Sequence, residues 1–367
     1  MPEIRPFDAW RYDKSTGKPD TLCCPPYDVI SEARRRDLEA LNPRNAIRLE
    51  KPESYESAKN LLGEWKRGGV LKRFGEAYYV YEMGFVSNGK AYTLRGFTGR
   101  CRLTRFGEGD VLPHELTLSK AKADRLALMN ATAMNFSPVY TLYEDAEHVV
   151  PNILSAATEG LEFDEFVVDG VTHRLWSVTD GETIRRITEF FKGRPVFIAD
   201  GHHRYETACN YRDEHPNDPN ANYVMMTFVD MENDGLVVLP THRVLHDADL
   251  SKIGALLTKE SLNGSLYYQG RRYDVPIESV DDLHTRILEP YFGIGAAQLA
   301  AQSNIVYTRD EAEALRLVDE GAQCAFILPP TRVAQIAEVA KAGGKMPQKS
   351  TYFHPKLITG LYFNDLS

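Results

Sequence analysis

Apolar positions along the chain keep to two periods, and the changes between them mark out the elements. Ser31 is placed to cap an early helix carrying Leu38 and Leu41. Tyr55, Ala58, Leu62 and Trp65 recur at helical spacing ahead of Gly68-Gly69, which predicts a helix over 54–67 stopped by the glycines. The stretches 77–86 and 90–103 are aromatic and β-branched, and Ser87-Asn88-Gly89 between them predicts a hairpin. A helix is expected over 117–133, with Lys120, Lys122 and Arg125 on its early turns and Leu126, Met129 and Ala133 inward. Segment 160–180 reads as strands about a turn at Asp169-Gly170. Asp180 then opens a helix with Ile184, Ile187 and Phe191 on one face. A strand is expected at 223–230.

Beyond 247 the pattern alternates. Helices are expected at 250–262, 280–292, 309–320 and 330–342, and strands at 265–268, 304–308 and 324–328. A polar loop, 346–356, and a strand, 357–363, close the chain. The mixture predicts an α+β or α/β fold in three regions. Residues 1–110 hold the hairpin, 111–246 a central strand–turn–helix, and 247–367 a further α/β region whose tail loop is placed to return to the site.

That central unit is Pro195-Val-Phe-Ile-Ala-Asp-Gly-His-His-Arg-Tyr205. Four apolar residues suit a buried strand, Asp200-Gly201 breaks it, and Tyr205, Ala208 and Cys209 follow at helical spacing. The first N–H groups of a helix have no partner within it, and the positive end of its dipole points the same way. Such a start attracts anions. Here it also carries His202, His203 and Arg204, with Asp200 just ahead as a possible cation ligand, a set suited to a metal–polyphosphate. Zinc is not expected, because neighbouring helical residues such as His202 and His203 project about 100° apart. A second phosphate-loop candidate, Gly84 to Ala91, fails: the hydroxyl position holds Ala91 and the sequence after it reads as strand.

Composition narrows the classes. A 43% hydrophobic, 26% charged chain argues against disorder, and a net charge of −9 argues against general nucleic-acid or membrane-surface binding. No apolar run approaches a membrane span, and the first residues lack a signal pattern, so a cytoplasmic protein is expected. Five cysteines without a C-x-x-C pair do not suggest a disulfide framework; they read as buried. Elsewhere single residues say little. Pro113-His114-Glu115 before a helix is often only favourable to the dipole. Thr241-His242-Arg243 after a strand, and Lys349, Ser350 and Thr351 in a polar loop, are candidate ligand contacts because polar loops carry function.

Ile-Ala-Asp-Gly-His-His-Arg, residues 198–204, resembles the signature of the ParB/sulfiredoxin-like superfamily, and in particular its free-serine kinase branch. There a Pro-His-Glu and an Asp-Gly-His-His-Arg belong to one active site. Both occur here, at 113–115 and 200–204. The small archaeal members carry the two closer together, so an insertion is expected between them. The whole chain is also similar to a bacterial family of domains of unknown function, number ten-fifteen. That likeness runs through Cys-Pro-Pro-Tyr-Asp-Val-Ile (24–30), Leu-Pro-His-Glu (112–115), Asn-Phe-Ser-Pro (135–138), the stretch 199–208, Leu-Pro-Thr-His-Arg (239–243) and Met-Pro-Gln-Lys-Ser-Thr-Tyr-Phe (346–353).

The resemblance implies a ParB/sulfiredoxin-like core and a kinase that phosphorylates the hydroxyl of free L-serine, with ATP or ADP as donor and Mg²⁺ as cofactor. It implies Glu115 as the base, Asp200 as the magnesium ligand, and His114, Gly201, His202, His203 and Arg204 around the phosphates. Asp200, His203 and Arg204 would join Glu115 in catalysis. The carboxylate of the amino acid needs a cation, and Lys120, Arg243 and Lys349, with Ser350, are the candidates. The alternative is a ParB-like nucleotide-binding regulator without metabolite kinase activity. The superfamily's sulfinic-acid reductase chemistry needs a reactive cysteine, and Cys209 reads as buried. Neither nucleic acid nor membrane is expected as a partner, and the oligomeric state is left open.

Overall fold

A computed structural model describes residues 2–115, 117 and 119–367, apart from the side chains of 119–121 and 300. They segregate into two compact units. The first comprises Met1–Pro113, Ser119–Val237 and Pro355–Ser367; the second comprises His114–Leu118 and Val238–His354.

The first unit is built on a ten-stranded mixed sheet. Its strands are β1 (Ile4–Arg5), β2 (Phe7–Tyr12), β3 (Leu71–Ser87), β4 (Lys90–Arg102), β5 (Val111–Leu112), β6 (Val139–Tyr143), β7 (Asp164–Val168), β8 (Val171–Val178), β9 (Val196–Asp200) and β10 (Tyr223–Asp230). They lie in the order β5-β9-β6-β10-β4-β3-β8-β7, with β1 on β4 and β2 on β3. The β3–β4 hairpin closes as the sequence predicts: Ser87 pairs Lys90, and Asn88 and Gly89 take φ of 49° and 75°. Two successive positive φ angles match the right-handed twist of the strands. The rejected phosphate-loop segment lies in this hairpin.

Local capping agrees with the sequence. Ser54 and Ser57 form a reciprocal cap on α1 (Tyr55–Arg67), and α2 (Ser119–Thr132) falls within the span 117–133 expected to be helical. Asp180 caps α3 (Gly181–Phe190) by accepting from the Thr183 N–H at 2.8 Å. The helix after the motif, α4 (His202–Glu214), buries Tyr205, Thr207, Ala208, Cys209 and Tyr211. Tyr205 anchors it. The ring stacks on Phe106 at 5.1 Å, and its hydroxyl donates to the Thr104 carbonyl at 2.8 Å and accepts from the Thr104 N–H at 3.0 Å. A fully buried large side chain is worth roughly 1.5–3 kcal/mol, so this contact holds the helix start in place.

The second unit carries a five-stranded antiparallel sheet of β11 (His242–Leu245), β12 (Leu266–Tyr268), β13 (Arg271–Tyr273), β14 (Ile305–Thr308) and β15 (Cys324–Phe326), in the order β13-β12-β15-β11-β14. Helices α5 (Glu311–Asp319) and α6 (Val333–Lys341) fall where the apolar spacing places them.

Two expectations fail. Residues 250–262 form only a short turn at Ile253–Ala255. Leu250, Ile253, Leu256 and Leu257 still pack into the core, so the apolar spacing is satisfied by the short turn alone, and Gly254 within it lowers the preference for extending the helix. The stretch 357–363 is not a strand; Thr359 and Phe363 make isolated bridges to Cys24 and Trp10. Gly360, at φ 112°, interrupts the extended run, and a side chain there would lie 3.1 Å from Cys23. All five cysteines are buried and unpaired, as read from the sequence. Among the described residues no helix is long and apolar enough to cross a membrane.

Candidate functional site

In the first unit the motif folds into a charged cluster. Strand β9 buries Val196 to Ala199 and ends at Asp200 between β5 and β6. The backbone turns at Gly201, with φ 92° and ψ 28°. A Cβ at that position would meet the Arg204 side chain at 2.8–2.9 Å, so both the backbone and the neighbour require glycine. Asp200 Oδ2 accepts from Arg204 Nη2 at 2.6 Å, and Oδ1 accepts from Lys356 Nζ at 2.5 Å. Arg204 Nη1 donates to the Pro138 carbonyl oxygen. The three charged side chains are only 17%, 12% and 11% exposed in the order Asp200, Arg204, Lys356. Burial opposes ionisation of Asp200, but Lys356, Arg204 and then His202 outweigh it and hold the carboxyl well below its usual range. One carboxylate against two cations leaves a positive charge over, at the dipole end of a helix.

Around this cluster lies a ring of residues from other parts of the chain. Burial works against the Arg204 charge, and Asp200, Asp28, Tyr27 and Glu50 restore it. Glu50 is buried and accepts from Ser137 Oγ at 3.0 Å. Burial pushes its carboxyl up despite Arg125 and Arg204. The Arg125 guanidinium lies 4.3 Å over the Tyr27 ring and donates to the Glu50 carbonyl at 2.7 Å. Burial also pushes the Tyr27 phenol up to about 12. Glu50, Arg125, Ser137, Arg204 and Thr207 line a cavity of about 40 Å³.

A different set gathers in the second unit. The Met346 N–H donates to the His114 carbonyl at 2.6 Å, and Glu115 bridges to Met346. Thr351 donates to Glu115 Oε1 from its hydroxyl at 3.3 Å and from its N–H at 3.4 Å, and shares a 3.0 Å bond with His114 Nε2. Arg243, fully buried, donates from Nη1 to the Thr241 carbonyl and from Nη2 to the Lys349 carbonyl at 3.0 Å. Burial pulls the Arg243 guanidinium down to about 10, against Tyr307 and Glu115. His284, close enough to feel Arg243, is driven down to about 3, mostly by burial. Ser350 is also buried, with Oγ donating to the Pro347 carbonyl at 2.6 Å.

The residues singled out from sequence therefore fall into two groups. Asp200, Gly201, His202, His203 and Arg204 share the turn of the first unit. His114, Glu115, Arg243, Lys349 and Ser350 share the loop at 346–351 in the second. The side chain of Lys120 lies outside the described residues. A divalent cation bound directly to Asp200 does not fit the residues present, since each carboxylate oxygen already takes a bond from a cation, at 2.5 and 2.6 Å. Such a surplus of positive charge suits an anion.

Sequence reasoning passed over Lys356, Tyr27, Asp28, Glu50 and Ser137. Three of these, Tyr27, Asp28 and Ser137, lie in the Cys-Pro-Pro-Tyr-Asp and Asn-Phe-Ser-Pro stretches, where no local spacing assigns them a role. For Glu50 no local signal exists.

Comparison with curated proteins finds no match. Among solved structures the chain is similar to a free serine kinase in complex with AMP, with 12% identity and TM-score 0.42, over 70% of this chain and 88% of that one. It is likewise similar to a conserved hypothetical protein from Pyrococcus furiosus, with 13% identity and TM-score 0.41, over 70% and 94%. A third likeness is to C-terminally truncated SbnI from Staphylococcus aureus, with 9% identity and TM-score 0.36, over 70% and 84%. The family described as protein of unknown function DUF1015 matches residues 4–322, and the chain belongs to that family.

Proposed function

We propose that the protein transfers the terminal phosphoryl group of a nucleotide, ATP or ADP, to the hydroxyl of free L-serine, giving O-phosphoserine. The observation that carries this reading is the surplus positive charge of Lys356 and Arg204 over Asp200 at the start of α4. A fixed cationic cluster at a helix start stabilises charge on a transferring phosphoryl group without reorganising. The Pro-His-Glu and Asp-Gly-His-His-Arg motifs, and the resemblance they carry to the ParB/sulfiredoxin-like free-serine kinases, point the same way.

In this reading the serine Oγ attacks the terminal phosphorus, the new O–P bond forms, and the bond from phosphorus to the nucleotide's bridging oxygen breaks. The shortened nucleotide leaves with that electron pair. Glu115 takes the hydroxyl proton, which a serine at neutral pH does not give up unaided. Thr351 orients the Glu115 carboxylate through its two bonds to Oε1. Asp200 keeps Lys356 and Arg204 in place, while Gly201, His202 and His203 form the floor on which the phosphates rest. Lys349, Arg243 and Ser350 belong to the acceptor side.

The test is direct. The full chain is incubated with the magnesium complex of ATP or of ADP and each free amino acid in turn, and phosphoamino acids are sought by phosphorus resonance and mass. O-phosphoserine is the expected product. Glu115→Gln is expected to lower turnover about a hundredfold to ten-thousandfold while leaving nucleotide affinity within a few-fold. Nucleotide binding without any phosphoamino acid would replace this reading with a nucleotide-binding regulator.

A further inference from the structure

Two cations in the second unit could meet the acceptor's carboxylate, and their surroundings differ. Arg243 is fully buried, and both terminal nitrogens are committed to main-chain oxygens, those of Thr241 and Lys349. Its guanidinium also packs 5.4 Å from the centre of the Tyr307 ring. The Nε–H has no partner among the described residues, but the whole side chain is fully buried and offers no exposed edge to a carboxylate arriving from solvent. Lys349 is only half-buried, and among the described residues its ammonium has no carboxylate within ion-pair reach.

The backbone beneath that ammonium is unusual. Lys349 has φ 59°, a left-handed conformation that costs a side-chain-bearing residue roughly 1–2 kcal/mol. A glycine or asparagine would fill such a turn more cheaply. The lysine is kept there by bonds on every side. Arg243 holds its carbonyl at 3.0 Å, Thr331 Oγ1 donates to the Ser350 carbonyl at 2.7 Å, and Ser350 Oγ donates to the Pro347 carbonyl at 2.6 Å. One end of the loop is tied through the Met346 N–H to His114, and the other through Thr351 to Glu115. Strain held by an over-determined surrounding is a mark of a functional side chain. Here the strained residue lies two positions before the one that orients the Glu115 carboxylate.

We infer that Lys349 binds the carboxylate of the acceptor amino acid, and that Arg243 acts as its positioning residue by fixing the left-handed turn, without touching substrate. The inference rests on the proposed function for the identity of the acceptor. It predicts that the protein selects for a free α-carboxylate. L-serinamide, which keeps the amine and the hydroxyl but lacks the carboxylate charge, is a poor ligand.

The experiment measures binding of L-serine and of L-serinamide by calorimetry, beside turnover of both, in the wild type, Lys349→Met, Arg243→Met and Arg243→Lys. The wild type is expected to favour serine roughly tenfold to a hundredfold, the range of a charge-assisted bond. Lys349→Met removes that preference by raising the KM for serine, with the KM for nucleotide unchanged. Arg243→Met and Arg243→Lys reduce the preference as well, because a lysine's single nitrogen lacks the rigid fork whose two nitrogens hold the Thr241 and Lys349 carbonyls. Adding Lys349→Met to Arg243→Lys brings no further loss. Lys349→Met changes a half-buried surface residue and folds even where Arg243→Met does not, and melting curves separate the two. A Lys349→Met protein that still prefers serine, or one that loses nucleotide affinity instead, overturns the inference. So does a wild type that does not distinguish the two ligands. Carboxylate-dependent binding without phosphorylation would leave Lys349 in its role and remove the kinase reading alone.

Discussion

The turn at Asp200–Arg204 and the loop at Met346–Thr351 both present polar groups on irregular backbone, but they are held by different forces. At the first, ions hold ions. Asp200 is clamped between Lys356 and Arg204, all three mostly buried, and Glu50, Tyr27 and Asp28 set the charge balance around them. At the second, main-chain oxygens are the anchors: Thr241, Lys349, Ser350, Pro347 and His114 each accept a bond that fixes the loop. An ionic lock keeps the surplus positive charge in a fixed place, which suits an anion. A loop tied by its carbonyls leaves its one strained lysine unspent. The contrast teaches that buried charge in this protein has two uses: Arg204 forms a direct ion pair with a neighbouring carboxylate, whereas Arg243, more deeply enclosed, donates its hydrogen bonds to main-chain carbonyls.

The sharpest way to break that contrast is Asp200→Asn. It leaves Lys356 and Arg204 buried without their counter-charge, and the loss of stability should reach about 3–5 kcal/mol, read as a shift in the urea midpoint. The acid limb carries a second signature. The Asp200 carboxyl is held below its unfolded value, so its stabilisation is complete above the unfolded pKa and is lost as pH falls toward and through the folded one. In the wild type stability should therefore drop below about pH 4, and in Asp200→Asn that slope should be shallower. A variant as stable as the wild type, with the same acid slope, would mean that the cluster is not an ionic lock.

A smaller effect is expected from Gly201→Ala. The turn has φ 92°, and the added methyl meets Arg204 at 2.8–2.9 Å, so a loss of about 1–3 kcal/mol should appear in the melting curve. Phosphate affinity should fall with it, because Arg204 must shift. The smallest effect, and of opposite sign, belongs to Lys349→Gly. Relief of the left-handed strain at φ 59° should leave stability equal to the wild type or higher by up to about 1 kcal/mol, while serine affinity falls. A destabilised Lys349→Gly would show that the lysine serves the fold.

Much of this was legible before any coordinates. The hairpin, α1, α3 and α4 follow from apolar spacing and from caps such as Ser54 and Asp180, because those signals are local and each element's own residues supply them. Gly201 announces its turn for the same reason. The failures at 250–262 and 357–363 differ in kind: Gly360 at φ 112° interrupts an extended run, whereas 250–262 buries its apolar residues around a single short turn without needing a full helix.

What the sequence by itself determined is the list of elements, the motif turn with its helix start, and the family to which the chain belongs. Only the tertiary structure decided which charges face one another. Lys356 lies 156 positions from Asp200, and Glu115 is bonded to Thr351, 236 positions away. No period along the chain encodes such pairs, because they arise where a returning tail and a distant loop are packed, not where neighbours repeat. The state of a buried group is set by the sum of its desolvation and its partners, so the difference between Arg204 and Arg243 exists only in three dimensions.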